Sequence, residues 1–241
     1  MAVNFKGRAK VDRLLGTISR VLLPPRCVLC DGFGSRGRDL CRSCHDELPR
    51  NDACCARCAL PLATAAPLCG LCLTRAPAFD AALIPYRYAY PLDRLLTRFK
   101  FGADLGVGRV LAQLLGDAAK RRATRDALLV PVPLHARRLA ERGFNQALEL
   151  ARLLGDRADL ELAPRAMRRV RRTPAQTGLD ASERRRNLRR AFEAGASVAG
   201  RTVVLVDDVV TTTATARECA RALKRAGAAR VELWAIARAG E

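Results

Sequence analysis

The sequence predicts an α/β protein, with a mostly parallel sheet flanked by helices and a small cysteine-rich module ahead of it. Residues 203–237 follow the order strand, polar loop, helix and strand, which is the βαβ unit of parallel sheets. In addition, cysteine pairs with the spacing of zinc-binding turns repeat along residues 27–72. We therefore divide the chain into an N-terminal helix over 1–25, a double zinc-ribbon module over 26–76 and an α/β domain over 77–241.

The charge balance of the chain favours polyanionic partners. Lys and Arg number 43 against 24 acidic residues, so the net charge is +19, which suits nucleic acid, phosphorylated substrates or acidic lipid. The sequence has no run of 18 apolar residues, so no transmembrane helix is expected. Basic residues interrupt the N-terminus where a signal peptide would be apolar, so we expect a cytoplasmic location. Ten cysteines in such a chain indicate bound metal rather than disulfides.

The N-terminal segment is predicted to be helical. Residues 9–22 place apolar side chains on one helical face, and Pro24 and Pro25 end the helix. Two interpretations remain open. The helix packs against the main domain, or it is a basic amphipathic helix that contacts a protein partner or the inner face of the membrane.

Four Cys-x-x-Cys turns follow one another with a period of 14 residues. Each turn presents two thiolates and two turns complete a closed tetrahedral site, so we expect two structural Zn²⁺ ions. The eight predicted ligands are Cys27, Cys30, Cys41, Cys44, Cys55, Cys58, Cys69 and Cys72. We favour sequential pairing of the turns, because the ten intervening residues form a compact hairpin. Pairing of the first turn with the third and of the second with the fourth is the alternative. Cys54 is then a free thiol and His45 a surface side chain.

The first part of the α/β domain contains a tyrosine-rich segment and two helices. Tyr86, Tyr88 and Tyr90 alternate along the chain, which predicts a strand. Stacking of these rings on a base is the alternative. Apolar spacing then predicts helices over 92–99 and over 105–119. We expect both helices to pack against the sheet.

A buried strand is predicted over 128–132, in front of a loop that prolines hold extended. This loop, residues 133–138, carries basic side chains that would lie at the edge of the sheet. A helix over 146–154 follows, with Asn145 as its N-cap and Gly155 at its end.

Residues 165–190 contain ten arginines and two acidic residues, and they lack apolar periodicity. They are therefore predicted to form a mobile loop. Ser182 is placed to cap a short helix over 184–190. Three interpretations stay open: a loop that closes over a ligand, a track for single-stranded DNA, or a solvated charged segment.

The central motif of the domain begins with the apolar strand Val203–Val206, which runs into two carboxylates and a threonine-rich loop. A helix over 214–226 follows and stops at Gly227, and residues 231–237 are predicted to form the next strand. Ligands of parallel sheets bind at the carboxyl ends of strands. The helix N-terminus and the hydroxyls suit a phosphate, while adjacent carboxylates suit ribose hydroxyls or Mg²⁺. The expected ligand residues are Asp207, Asp208, Thr211, Thr212, Thr213, Ala214 and Thr215. Together they predict a site for ribose 5-phosphate that carries a second, metal-bound phosphate group.

The run V-V-L-V-D-D-V-V-T-T-T-A-T resembles the phosphoribosyl pyrophosphate (PRPP) motif of type I phosphoribosyltransferases. The resemblance implies a type I phosphoribosyltransferase-like fold, and Mg²⁺ bound together with PRPP. It also implies a pyrophosphate loop that contains Pro133, Leu134, His135, Arg137 and Arg138. A flexible loop with Arg171, Arg172 and Gln176 would close over the ligand. This family usually has glycine where the present chain has Thr213. Either the loop tolerates threonine there in an ordinary conformation, or phosphate binding is weakened.

The order of all these motifs resembles the ComF family over nearly the whole chain. Four Cys-x-x-Cys turns precede Y-x-Y-x-Y-P with R-F-K-F-G, then V-P-V-P-L-H, R-R-T-P-A-Q-T-G-L and the PRPP motif. The resemblance implies a PRPP-binding protein linked to natural competence, with single-stranded DNA and proteins of the DNA-uptake machinery as partners. Two classes of function follow, a phosphoribosyltransferase and a non-catalytic binding module that senses PRPP or holds DNA. The sequence indicates neither a catalytic residue, nor the acceptor substrate, nor the oligomeric state.

Overall fold

The computed structural model describes residues 24–35, 37–64, 66–120, 126–134, 139–140, 143–170 and 190–240. The chain forms two compact units, Met1–Leu48 and Pro49–Glu241. The predicted N-terminal helix over 9–22 lies outside the described residues, so its location at a membrane face stays a prediction. Within the described ranges, no helix is both long and apolar enough to cross a membrane.

The first unit is a small cysteine-rich fold. Helix α1 spans Arg42–Asp46, and the Sγ of Cys41 caps it by accepting a hydrogen bond from the backbone N–H of Cys44 at 3.4 Å. An isolated antiparallel bridge joins Arg26 to Phe33. With so little regular structure, a region of this size depends on a cross-link or a metal for stability.

The second unit is built on a five-stranded sheet in which every neighbouring pair is parallel. Its strands, in spatial order, are β1 (Ala81–Leu83), β9 (Arg230–Trp234), β7 (Thr202–Val206), β3 (Leu128–Pro131) and β4 (Glu161–Leu162). The four apolar residues of β7 are fully buried in the centre of the sheet. The predicted α/β class and the predicted strands at 128 and 203 are confirmed.

Two smaller sheets contain the remaining strands among the described residues. The first is parallel and contains β2 (Tyr86–Arg87), β10 (Ala237–Arg238) and β8 (Val209–Val210), and the second pairs β5 (Met167–Arg169) with β6 (Phe192–Ala194) antiparallel. The strand predicted over 231–237 is therefore two strands, because the chain leaves the main sheet after Trp234 and joins the second sheet. The predicted strand with alternating tyrosines is too long, because β2 ends at Arg87. Tyr88 and Tyr90 lie beyond it and are exposed.

Five helices are described in this unit, together with a 3₁₀ turn at Ala196–Val198. They are α2 (Gly70–Thr74), α3 (Leu92–Gly102), α4 (Leu105–Ala119), α5 (Gln146–Ala158) and α6 (Ala214–Arg225). The bounds predicted for α4 are confirmed. Helix α6 ends where predicted, with Gly227 at φ +90° just beyond it.

Helix α5 begins as predicted but ends later. The side chain of Asn145 accepts a hydrogen bond from the backbone N–H of Ala147 at 3.1 Å, which confirms the N-cap. The predicted end at Gly155 is wrong, because the helix continues to Ala158 and Asp159 adopts φ 52°. Gly155 serves packing instead, since a Cβ there would lie 3.1 Å from the carbonyl oxygen of Leu160.

The loop predicted for the arginine-rich segment does not begin at residue 165. Residues 167–169 form strand β5, which pairs with β6, so the loop predicted from residue 165 is wrong at this end. Residues 171–189, including the predicted Ser182 cap, lie outside the described part of the chain.

Candidate functional site

The carboxyl ends of β7 and β3 lie side by side, and they form the edge at which the predicted ligand residues meet. In the parallel register, Pro131 lies opposite Val206. The backbone N–H of Val132 then donates to the carbonyl of Val206 at 2.9 Å. The carboxylate pair after β7 and the extended loop after β3 therefore leave the sheet at adjacent points, as expected for a parallel sheet.

Asp207 and Asp208 are each held by a backbone N–H group. The Oδ1 of Asp207 accepts from the backbone N–H of Asp208 at 2.9 Å, and the Oδ1 of Asp208 accepts from that of Val209 at 2.7 Å. Asp208 Oδ2 is buried and, among the described residues, accepts no hydrogen bond. Its near neighbour is the ammonium group of Lys100, 3.3 Å away. The backbone N–H groups thus fix both carboxyl groups at the carboxyl end of β7, and Lys100 balances the charge of Asp208.

Burial raises the pKa of Asp207 to about 8, and the negative charge of Asp208 contributes to the rise. The hydrogen bond from the Asp208 backbone N–H and the charge of Lys100 act in the opposite direction. The raised pKa favours the protonated form of the Asp207 carboxyl in the ligand-free protein. Bound Mg²⁺ or ribose hydroxyl donors would favour the ionised form, so ligand binding is expected to release a proton.

The substitution Asp207→Asn is expected to stabilise the ligand-free protein as the pH rises. The native carboxyl binds a proton that the unfolded chain has already lost above pH ~4, so stability falls with rising pH up to about 8. The slope for this one group is up to about 1.4 kcal/mol per pH unit. Urea unfolding of both proteins at pH 6.5 and 7.5 measures it. An equal pH dependence in the variant and the wild type would contradict this assignment.

Thr213 adopts the left-handed backbone conformation that glycine adopts most readily. Its φ is 58° and its ψ is 0°, and it is the N-cap residue of α6. A β-branched residue in this region is strained. The side chain of Thr213 is buried and its Oγ1 accepts a hydrogen bond from Arg217 Nε at 3.1 Å. The loop therefore has, at Thr213, a backbone conformation that glycine would adopt without strain, at some cost in conformational energy.

The substitution Thr213→Gly is accordingly expected to raise the free energy of unfolding by about 1 kcal/mol, because glycine adopts this conformation without steric cost. Thr213→Ala removes the same hydroxyl and keeps a Cβ, so it is the matched control and is expected to show no gain. Denaturant unfolding of the three proteins measures the difference. A glycine variant no more stable than the alanine variant would contradict the strain.

The N-terminus of α6 is open to an anion. Among the described residues, no side chain caps this end, and its first turn contains no acidic residue. Thr211 is exposed, and Thr212, Ala214 and Thr215 are half-buried around the same end. Unpaired N–H groups at the start of a 12-residue helix, together with hydroxyls, suit a phosphate group.

Two residues that sequence reasoning missed support this loop. Arg238 is 3% exposed and its Nη1 donates to the carbonyls of Val210 and Thr211, so a buried guanidinium holds the loop backbone. Lys100, at the end of α3, places its charge beside Asp208. Lys100 lies in the R-F-K-F-G run that supported the family resemblance, which was the available signal. No signal in the sequence pointed to Arg238, because its role depends on the pairing of β10 with β8.

A cleft of about 750 Å³ opens at the carboxyl end of β3. It is lined by the extended loop after β3, the start of α5 and strand β5, including Pro131, Pro133, Leu134, Phe144, Asn145, Met167, Arg168 and Arg169. Pro133 and Leu134 of the predicted pyrophosphate loop therefore line the cleft. The remaining predicted residues of the two loops lie outside the described residues: His135, Arg137, Arg138, Arg171, Arg172 and Gln176.

The eight cysteines form two groups of four, in the sequential pairing that was favoured. Cys27, Cys30, Cys41 and Cys44 form the first, and Cys55, Cys58, Cys69 and Cys72 form the second. Within each group all Sγ atoms lie within 4.8 Å of one another. Among the described residues, Cys54 belongs to neither group, and the His45 ring pairs with Asp46.

The thiol geometry fits tetrahedral zinc. A Zn–S bond of about 2.3 Å gives sulfur–sulfur distances of about 3.8 Å in a regular tetrahedron. The Sγ atoms of Cys30 and Cys41 are 3.8 Å apart, and those of Cys58 and Cys69 are 3.7 Å apart. Both groups are therefore suited to hold structural zinc.

Comparison with known proteins agrees with this architecture. The model of the double zinc ribbon domain matches residues 18–73, and that of the phosphoribosyl transferase domain matches residues 139–241. Competence protein F of Haemophilus influenzae is 34% identical over 223 residues, which cover 89% of this chain and 97% of the relative. The chain belongs to the ComF family. The resemblance found in the sequence is thereby confirmed.

Other ComF relatives extend the comparison. The DNA utilization protein YhgH of Escherichia coli is 35% identical over 224 residues, 90% of this chain and 98% of the relative. The competence protein ComFC of Streptococcus pneumoniae is 28% identical over 153 residues, 64% of this chain and 66% of the relative. As a ComF protein, the chain combines zinc-ribbon cysteines with a phosphoribosyltransferase domain.

Proposed function

We propose that residues 207–215, at the carboxyl end of β7, form a pocket that binds PRPP or a closely related phosphorylated ribose. The main support is that two features follow the same strand closely in the chain. An aspartate pair comes directly after β7, and the uncapped N-terminus of α6 begins at Thr213, five residues after Asp208. A carboxylate pair would repel a lone phosphate. It suits a ligand whose sugar hydroxyls or metal ion separate the carboxylates from the phosphate.

Each part of the pocket has a distinct role in this proposal. The N–H groups at the start of α6 and the hydroxyls of Thr211, Thr212 and Thr215 hold the 5-phosphate. The carboxylates of Asp207 and Asp208 accept hydrogen bonds from the ribose hydroxyls or hold Mg²⁺. This ion, when bound with the ligand, would neutralise charge on the pyrophosphate group.

The cleft beside β3 has room for the remainder of the ligand. Its volume of about 750 Å³ lies in the range of small-molecule sites. The predicted pyrophosphate residues His135, Arg137 and Arg138 follow Leu134 directly in the chain. Arg168 and Arg169 line the cleft from strand β5 and add positive charge. The pocket and the cleft would together accommodate a sugar with phosphate groups at both ends.

Hydrogen exchange of the zinc-loaded protein, with and without PRPP and Mg²⁺, tests where the ligand binds. We expect the backbone amides of residues 207–216 to exchange at least about tenfold more slowly with ligand. Slower exchange confined to other segments would contradict the proposed pocket. Release of pyrophosphate on adding candidate acceptors then separates a transferase from a binding module.

Single-stranded DNA binding is a second candidate function, favoured by exposed aromatic rings near the two ends of α3. Tyr90, two residues before the helix, is 66% exposed, and Phe101, in its last turn, is 72% exposed. The Arg94 guanidinium lies 5.0 Å from the centroid of the Tyr90 ring. Exposed aromatic rings with interspersed arginines are the features that single-stranded nucleic acid binds. The DNA utilization named for YhgH relatives agrees with this role.

The double substitution Tyr90→Ala with Phe101→Ala is expected to weaken single-stranded DNA binding about tenfold or more, because two stacking surfaces are lost. Fluorescence anisotropy with a labelled oligothymidylate measures the affinity. Leu73→Ala is the control, since Leu73 is 69% exposed but not aromatic. The α3 surface would be ruled out by equal affinities of the double variant and the control.

A further inference from the structure

Arg217 connects two parts of the chain that lie far apart in the sequence. Its Nε donates to Thr213 Oγ1 at 3.1 Å, and its Nη1 donates to the backbone carbonyl of Arg75 at 3.1 Å. We infer that Arg217 is a positioning residue that fixes the phosphate-binding loop against the second cysteine site. Tight phosphate binding then depends on an intact metal site at Cys55–Cys72. This inference rests on the proposed phosphate site.

The carbonyl that Arg217 contacts belongs to the second cysteine site. Arg75 is the C-cap of α2, and its backbone N–H donates to the carbonyl of Leu71 at 2.8 Å. Cys69 is the N-cap of the same helical turn and Cys72 lies within it. A helix of five residues is unstable by itself. Metal ligation by Cys69 and Cys72 would therefore hold the Arg75 carbonyl in place for Arg217.

The same cysteine site belongs to the hydrophobic core that also contains residues of the helix that begins at the phosphate loop. Its four cysteines lie in one buried cluster with Ala216, Cys219 and Ala220 of α6. The site and the helix are thus joined by the Arg217 hydrogen bond and share one apolar core. The first cysteine site belongs to the separate unit Met1–Leu48, so it provides an internal control.

The target of Arg217 is the strained residue of the loop. Thr213 has positive φ, which costs about 1–3 kcal/mol for a non-glycine residue and persists only when its surroundings impose it. The bond to Oγ1 is one such constraint. Without it, the loop would relax toward ordinary backbone angles, and the N–H groups of Ala214 and Thr215 would turn away from the phosphate. Glycine at this position would need no such constraint, because it adopts positive φ without steric cost.

Affinity for ribose 5-phosphate measures the effect, because this probe lacks the pyrophosphate group and reports on the phosphate loop. We expect Arg217→Ala to weaken binding about tenfold and Arg217→Lys to weaken it less. Arg225→Ala, on the exposed last turn of the same helix, is the matched control and is expected to bind like wild type. Combining Thr213→Gly with Arg217→Ala is expected to restore most of the affinity, because glycine holds the loop shape unaided. Equal affinities of Arg217→Ala and Arg225→Ala would overturn the inference.

Hydrogen exchange of ligand-free protein tests the same link without any ligand. In Arg217→Ala and in Cys69→Ser with Cys72→Ser, residues 211–216 are expected to exchange about tenfold faster than in wild type. The first-site variant Cys41→Ser with Cys44→Ser is expected to leave them unchanged, although it also loses one zinc. Unchanged exchange in Arg217→Ala would overturn the inference even if the second-site variant failed to fold. If wild type bound no ribose phosphate, the proposed function would fail, while faster exchange in these variants would still establish the link.

Discussion

Replacing both carboxylates, Asp207→Asn with Asp208→Asn, is expected to weaken Mg²⁺-dependent PRPP binding by a factor of 100 or more. Hydrogen bonds that involve an ionised group contribute about 1.5–3 kcal/mol each, and the variant loses such bonds at two side chains. It also loses the charge that would hold Mg²⁺. Isothermal titration calorimetry with PRPP and Mg²⁺ measures the change.

The fold should survive this double substitution. The Asn carbonyl oxygens can still accept from the backbone N–H groups of Asp208 and Val209, as the carboxylates do now. Asp156→Asn, at an exposed position of α5, is the control for the loss of a surface charge. Binding of the double variant within threefold of that control would contradict the role of the aspartate pair.

Loss of the second zinc site is expected to destabilise the sheet unit by about 4 kcal/mol or more, the range reached when a structural metal is lost. All four of its cysteines are buried in the core cluster that contains β3 and β7 residues. The variant Cys58→Ser with Cys72→Ser removes one ligand from each of its turns. Zinc analysis should find the content reduced from two ions per chain to one.

The matched control for this prediction is Cys30→Ser with Cys44→Ser, which breaks the first site in the separate unit. The chain has a single tryptophan. Trp234 is buried in β9 and its Nε1 donates to Glu232 at 3.1 Å, so its fluorescence reports on the sheet. Urea unfolding followed by this signal should shift far more for the second-site variant. Equal shifts in the two variants would show that both sites stabilise the sheet to the same degree, against the prediction.

The sequence was sufficient to predict features that depend on local pattern. The buried strand at Val203–Val206, helix α4, the Asn145 cap and the two cysteine groups each follow from spacing or capping chemistry over a few residues. The phosphate loop was predictable for the same reason, because strand, acids, threonines and helix are consecutive in the chain. Local chemistry of this kind needs no knowledge of tertiary contacts.

The remaining features depend on contacts between distant residues. Lys100 reaches Asp208 and Arg217 reaches Arg75 only because the sheet and the second cysteine site bring them together. Strands β8 and β10 have two residues each, which is too short for a periodic signal. Gly155 looks like a helix stop until its contact with Leu160 is known. Such features cannot be predicted from one sequence, because they depend on tertiary contacts.

Thr213 illustrates how sequence and structure combine. The sequence raised two possibilities, that the loop tolerates threonine in an ordinary conformation or that phosphate binding is weakened. The structure has threonine at φ 58° with Arg217 bound to its hydroxyl. The first possibility is therefore wrong, because Thr213 has the left-handed backbone conformation that favours glycine. A neighbouring side chain, absent from the motif itself, holds the strained residue in place.

The central claim is that this ComF protein has a functional PRPP pocket at the end of β7. Calorimetric titration of the zinc-loaded wild-type chain with PRPP, with and without Mg²⁺, tests it most directly. We expect one saturable site per chain, binding that requires Mg²⁺ for full affinity, and competition by ribose 5-phosphate. Absence of saturable binding in both conditions, with two zinc ions bound per chain and the protein folded, would contradict it.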